Sequence, residues 1–210
     1  MSVLNKIAYF QERRDELPNQ AVARELAQTQ NTADILEIVD NLGNQEPNIQ
    51  SDCLKVLYEL GYLAPGLISE YLEEFLKLLK HRNNRMVWGG MIALSTIAGL
   101  QADKIFPHVD ELIKTMEAGS VITNDAGIKT LIAVAVRKDE YRLQILPYLL
   151  ERLANSRPVD VPRYAENMLV AIRTGDQAEF IKILDKWIKA SSGARLARLK
   201  KVFKQAGKIA

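Results

Sequence analysis

The chain has 210 residues, 48 % apolar and 26 % charged, with a net charge of +2. That is the balance of a chain that buries a core, and its total charge is too small to imply a polyanionic partner. One cysteine, Cys53, excludes an internal disulfide framework, and neither a membrane-length apolar run nor a cleavable signal segment is seen, so a cytoplasmic protein is expected.

In chain order, residues 3–16 predict a helix, with Val3, Leu4, Ile7, Ala8 and Phe10 as its apolar positions and Pro18 breaking it. A second helix is expected over about 19–29, with Ala21, Val22 and Leu26 inward. Neither fits the register that follows, so 1–31 is read as an amino-terminal cap.

From residue 32 one pattern is written three times. Ile35, Ile38, Val39 and Leu42 return as Leu72, Phe75, Leu76 and Leu79, then as Val109, Leu112, Ile113 and Met116. Leu54, Leu57, Leu60 and Gly61 return as Met91, Leu94, Ile97 and Ala98, then as Ile128, Leu131, Val134 and Ala135. Every shift is 37 residues. Spacings of three and four within each row mark one face of a helix, so each unit is a pair of amphipathic helices. Such a pair cannot close its apolar side alone and must stack on its neighbours.

Local signals punctuate the units. Thr32 is expected to cap the first helix, Leu42-Gly43 to end it in a left-handed turn, and Pro47-Asn48 to open a second helix closing at Gly61. The second unit is predicted over about 67–80 and 85–98. The third has Pro107 in its opening turn, a break at Gly119-Ser120, and a helix over about 124–137. A fourth pair places Pro147 where Pro107 stood, shifted by 40 instead of 37, with Ile145, Leu149 and Leu153 on one helix and Ala165, Met168, Leu169 and Ile172 on the next. A fifth pair, 178–190 and 194–207, is broken at Ser191-Ser192-Gly193. No segment alternates as a strand would. The expected fold is all-α, a right-handed solenoid of about five stacked antiparallel helix pairs in a single domain: cap 1–31, four pairs over 32–175, and a last pair over 176–210.

The run Leu79 to Leu94 reads Leu, a polar turn (His81, Arg82, Asn83, Asn84), Val87, then small residues and Leu94. It resembles the HEAT repeat, clearly over about 32–175 and loosely at both ends. Two departures stand out: the period is shorter than the usual 40 or more, and Trp88 follows Val87 where the family commonly has Arg. Tetratricopeptide repeats fit less well, since their Trp/Leu-Gly/Tyr pattern and period are missing. The resemblance implies an architecture and is almost silent on function.

In a HEAT-like stack the second helices line the concave side. Opposite their core rows lie Asp52, Lys55, Glu59 and Tyr62 in the first unit, Gly89, Ile92, Thr96 and Gly99 in the second, and Ala126, Lys129, Ala133 and Val136 in the third. The middle of that face is small and apolar, its flank charged, as at an interaction site; the competing reading is lateral packing of crowded helices. Trp88 beside Gly89 and Gly90 is either a partner anchor, or the glycines simply make room for its indole or for an adjacent helix. The expected function is therefore a non-catalytic scaffold that binds a protein segment through Lys55, Glu59, Trp88, Ile92, Thr96 and Lys129.

The alternative rests on the last helix. From Gly193 to Ala210 there are six basic residues and no acid, leaving the first 192 residues at −4. Arg195, Arg198, Lys200, Lys201 and Lys204 are candidates for nucleic-acid contact, against a plain solvated outer face. HEAT-like alkylpurine DNA glycosylases resemble the chain in size and helical pairing. That family places an Asp one turn after its Trp on a concave helix and an Arg in the following repeat; here Ile92 and Lys129 stand there, and the carry-over fails. Catalytic residues, cofactors and metal ligands are not assigned: His81 and His108 read as surface residues, Cys53 as a small buried one, and Glu70, Glu73 and Glu74 as a solvated cluster. Oligomeric state is left open.

Overall fold

The structure, a computed structural model, describes residues 2–209. Among them are helices and turns and no strand. The chain divides into two compact units after Thr130, inside the helix Val121–Ala135.

The first unit departs from expectation at its start. Only Val3–Lys6 forms a short 3-10 turn, with Ile7 extended behind it. The reason is competition for backbone donors. The N–H of Ala8 donates to Asn19 Oδ1 at 2.9 Å and that of Tyr9 to Asp52 Oδ2 at 2.8 Å, so neither is left for a continuing helix. Residues 8–13 then close as a helix-terminating motif, Arg13 N–H to Ala8 O at 2.9 Å and Glu12 N–H to Tyr9 O at 3.1 Å, with Glu12 left-handed at φ 53°. Pro18 does not break a helix; it begins one, standing in the first turn of α1 (Leu17–Thr29), where its missing N–H costs nothing.

Two helix pairs follow, α2 (Thr32–Asp40) with α3 (Pro47–Leu63), and α4 (Leu72–Leu78) with α5 (Asn84–Ile97). A short α6 (Ala102–Ile105) leads to α7 (Val109–Ala118) and α8 (Val121–Ala135). Asn31, not Thr32, caps α2, accepting from the N–H groups of Ala33 and Asp34. Gly43 is not left-handed; the helix tightens into a 3-10 turn instead. Helix α3 runs two residues past Gly61, and Pro107 lies in a 3-10 turn just ahead of α7. Both repeated rows are buried throughout except Ile113, which is half-buried. Helix α3 packs between α1 and α5, so these three helices lie side by side in chain order.

The second unit holds α9 (Asp139–Ala154), α10 (Val161–Met168), α11 (Gln177–Lys189) and α12 (Gly193–Ala206). Contacts run α9 to α10, α11 to α12, α9 to α11 and α10 to α12, which is two stacked hairpins. Pro147 is inside α9 and not at its start, because the acidic Asp139-Glu140 turn opens the helix earlier. Helix α10 stops at Met168 and Ile172 is extended, so only the first half of the expected helix forms. Two polar ties hold the stack. Arg142, almost buried, pairs with both Asp139 and Asp176, and Trp187 Nε1 donates to Leu153 O at 3.1 Å, tying α11 to α9.

Candidate functional site

Helix α3 presents Asp52, Lys55, Glu59 and Tyr62 along one stripe by their spacing of three and four. The structure fills much of it from the chain itself. Asp52 accepts from Tyr9 N–H and, at 2.8 Å, from Asn19 Nδ2. Lys55 is buried, its Nζ 2.7 Å from both Glu16 Oε2 and Glu59 Oε1 and 4.8 Å from the ring centre of Tyr58. Burial opposes the charge on Lys55, but the bonds to Glu16 and Glu59 outweigh it and lift the ammonium above the usual lysine range. Glu16, at the start of α1, also lies 3.9 Å from Arg85 in the first turn of α5. A cleft of about 430 Å³ opens there, between residues 8–16 and the first turns of α3 and α5.

Further along the stripe the surface becomes aromatic. Tyr58 meets Tyr62 edge-on with ring centres 6.4 Å apart, and Trp88 at 6.3 Å. Tyr58 itself is buried, Trp88 and Ile92 are half-buried, and Tyr62 is 56 % exposed. Burial raises both tyrosine hydroxyls above their ordinary value.

The small residues of this face are spent on packing. A Cβ on Gly89 would meet Leu54 Cδ2 at 2.5 Å, and one on Gly61 would meet Thr96 Oγ1 at 2.2 Å. Gly90 turns the other way, toward Leu78 and Phe75 of α4. Thr96, half-buried against Gly61, donates to Ala93 O at 2.7 Å. Lys129 is exposed on α8, whereas Ala126 beside it is buried.

Of the expected residues, Lys55 and Glu59 meet directly, Trp88 joins them through Tyr58, and Ile92 follows one turn on. Glu16, Tyr58 and Arg85 were not expected in the site. Tyr58 lies one turn from Lys55 and was within reach of helical spacing; Glu16 and Arg85, 39 and 30 residues away along the chain, carried no local signal. In α12, Arg195, Lys200, Lys201 and Lys204 are exposed, and Arg198 forks onto Glu166 of α10 at 2.8 and 2.6 Å. His81 Nδ1 accepts from Asn83 N–H at 3.0 Å, closing the turn before α5. Among the described residues no cluster of His, Cys, Asp or Glu could hold a metal ion, and no helix is long and apolar enough to cross a membrane.

No protein-family model matches the sequence, and a search of the curated proteins found no match. Solved structures do resemble it. An engineered protein from the Northeast Structural Genomics Consortium superposes with a TM-score of 0.69 at 15 % identity, over 98 % of this chain and 95 % of that one. Kap121p bound to Pho4p gives a TM-score of 0.68 at 14 % identity, over 99 % of this chain and 23 % of that one. A designed armadillo repeat protein in complex with the peptide (KR)4 gives 0.66 at 13 % identity, over 97 % and 96 %.

The fold is a helical-repeat solenoid. At these identities the likeness establishes architecture and nothing finer.

Proposed function

We propose that this chain is a non-catalytic, HEAT-like scaffold that holds a protein segment along the face of α3 and α5. The observation that carries the reading is the aromatic run Tyr62–Tyr58–Trp88, with Ile92 one turn beyond and the Glu16–Lys55–Glu59 charges at its edge. Exposed Tyr62 and half-buried Trp88 and Ile92, set around the buried Tyr58 and rimmed by ionic groups, have the anatomy of a segment-binding surface, where Trp and Tyr supply most of the binding energy. Lys55 serves this face indirectly, by fixing Glu59 and Glu16; Trp88 and Ile92 are the contact residues, Thr96 shapes the floor, and Lys129 stands exposed on α8. The designed armadillo repeat protein holds a peptide and Kap121p was solved with Pho4p bound, which supports the same class of partner here. At about 8–10 Å per packed helix, a row of second helices suits a helix or an extended segment better than a metabolite.

The test is selection from a displayed library of random peptides of about 12 residues, long enough to span several helices at about 3.3 Å per residue. Selected peptides should bind the wild type and lose about tenfold or more against Trp88→Ala and against Ile92→Glu, while the far-ultraviolet spectrum and melting transition stay as they were. Peptides that bind both variants as well as the wild type, or a library that yields no binder, would remove this reading.

A further inference from the structure

The charge of the chain separates along the same line as its two compact units. Residues 1–130 carry twelve basic and eighteen acidic side chains, a net −6. Residues 131–210 carry sixteen basic and eight acidic, a net +8. The near-neutral total therefore conceals a strongly basic module.

Within that module the ion pairs sort the cations into two groups. Arg142 is held by Asp139 and Asp176, Arg157 and Arg163 by Asp160, and Arg198 by Glu166. These bind the unit to itself. On α12 the sorting is sharpest: Leu199, Val202 and Ala206 are buried, and Lys200, Lys201 and Lys204 stand exposed on the opposite face. Lys200 and Lys204 make no ion pair among the described residues, and Lys201 has only a longer-range attraction to Glu166. No acidic residue lies anywhere in 193–209 to neutralise the stripe.

We infer that the exposed lysine stripe of α12 is a docking surface for the phosphate backbone of duplex nucleic acid. Three features of the helix select that occupant among anionic ones. A membrane surface is taken up by an amphipathic helix through its apolar face, and here that face is already packed on α10 and α11, with Leu196 and Phe203 half-buried beside it. A protein partner needs an aromatic or aliphatic anchor at the centre of its interface, and the exposed residues of α12 are basic (Arg195, Arg198, Lys200, Lys201, Lys204) or small or polar (Ala194, Ala197, Gln205). Single strands are gripped by stacking on aromatic rings, and the one aromatic side chain of α12, Phe203, is half-buried. A duplex backbone needs charge alone. Lys200 to Lys204 rise about 6 Å along the axis, a length that faces about two phosphates of a strand at ~3.4 Å each. Such contacts position without reading sequence, so binding is expected to be indifferent to base composition. The surface is separate from the α3–α5 face and does not depend on the reading given for it.

The experiment is fluorescence anisotropy of a labelled mixed-sequence DNA duplex titrated with the full chain at about 50 and 200 mM salt. Two phosphate contacts predict a salt slope of about −1.8 and an affinity roughly twelve-fold weaker at the higher salt. Lys200→Gln/Lys201→Gln/Lys204→Gln should remove that slope and at least tenfold of the low-salt affinity, with helicity unchanged. Lys77→Gln/Lys104→Gln/Lys114→Gln, which neutralises as many charges in the other unit, should leave binding as it was. Absence of binding at low salt, equal losses in the two triple variants, or tighter binding to anionic phospholipid vesicles or to polyglutamate than to the duplex would overturn the assignment.

Discussion

A methyl group on Gly61 would stand 2.2 Å from the hydroxyl of Thr96 and 2.8 Å from Ile68 Cδ1, so helices α3 and α5 touch where glycine leaves no side chain. Gly61→Ala gains about 1 kcal/mol in helix propensity but forces apart two packed helices, which costs about 1–3 kcal/mol for an overpacked core. Both atoms are too near for a small adjustment, so packing wins. The variant is expected to unfold at lower urea, by a net of about 1 kcal/mol, and Thr96→Ala added to it should restore part of the loss. A Gly61→Ala protein as stable as the wild type would mean that α3 and α5 are farther apart than described.

The Lys55 cluster ties the amino-terminal segment to α3 and makes a second prediction. Lys55 is buried while Glu16 and Glu59 are partly solvated, so each single pair is worth only about 1 kcal/mol. Glu16→Gln and Glu59→Gln should each cost that much, and Lys55→Ala about 2 kcal/mol, since it breaks both pairs and empties the packed stem. The lysine's charge is held above its ordinary range in the folded state. Its contribution is therefore whole below the unfolded lysine value of about 10.4 and fades only as pH climbs past it. Urea midpoints of Glu16→Gln relative to wild type should accordingly differ equally at pH 7 and pH 9; a difference that disappears by pH 9 would contradict the assignment.

Cys53 supplies an alkaline limb. Its thiol is fully buried and pushed up to about 12 by that burial, with Asp52 and Glu37 adding to it. A group raised on folding gives stability that is complete below its unfolded value of about 8.5–9 and drains away above it. The loss should reach about 1.5 kcal/mol by pH 10, and Cys53→Ala should lack this part of the pH slope. Tyr58 and Tyr62, also raised by burial, add their own decline only at higher pH. Native Cys53 should resist thiol reagents and label only as the helix pair opens; rapid labelling under native conditions would show the site to be exposed.

The repeated core was legible because its physics is local. Three- and four-residue spacing decides which side of a helix is oily, and 23 of the 24 positions in the two aligned rows are buried, Ile113 being the half-buried remainder. The helix-opening role of Pro47 and the break at Gly119-Ser120 were equally readable from neighbours in sequence. Pro18 and Pro147 misled because proline's effect depends on where the surrounding helix begins, which distant packing sets.

What the amino-acid order determined by itself was the module, a helix hairpin whose apolar stripe only another hairpin can cover. What the tertiary structure decided was the use of its polar residues. Asn19 and Asp52 claimed the donors that would have made residues 3–16 a helix, and Glu16 reached Lys55 across 39 positions of chain. Arg198 was drawn to Glu166, leaving the lysines of α12 to face water. Burial of an apolar stripe is additive along a helix and can be counted from spacing; a hydrogen bond or ion pair exists only between particular atoms brought within about 3 Å, and the chain's fold chooses them.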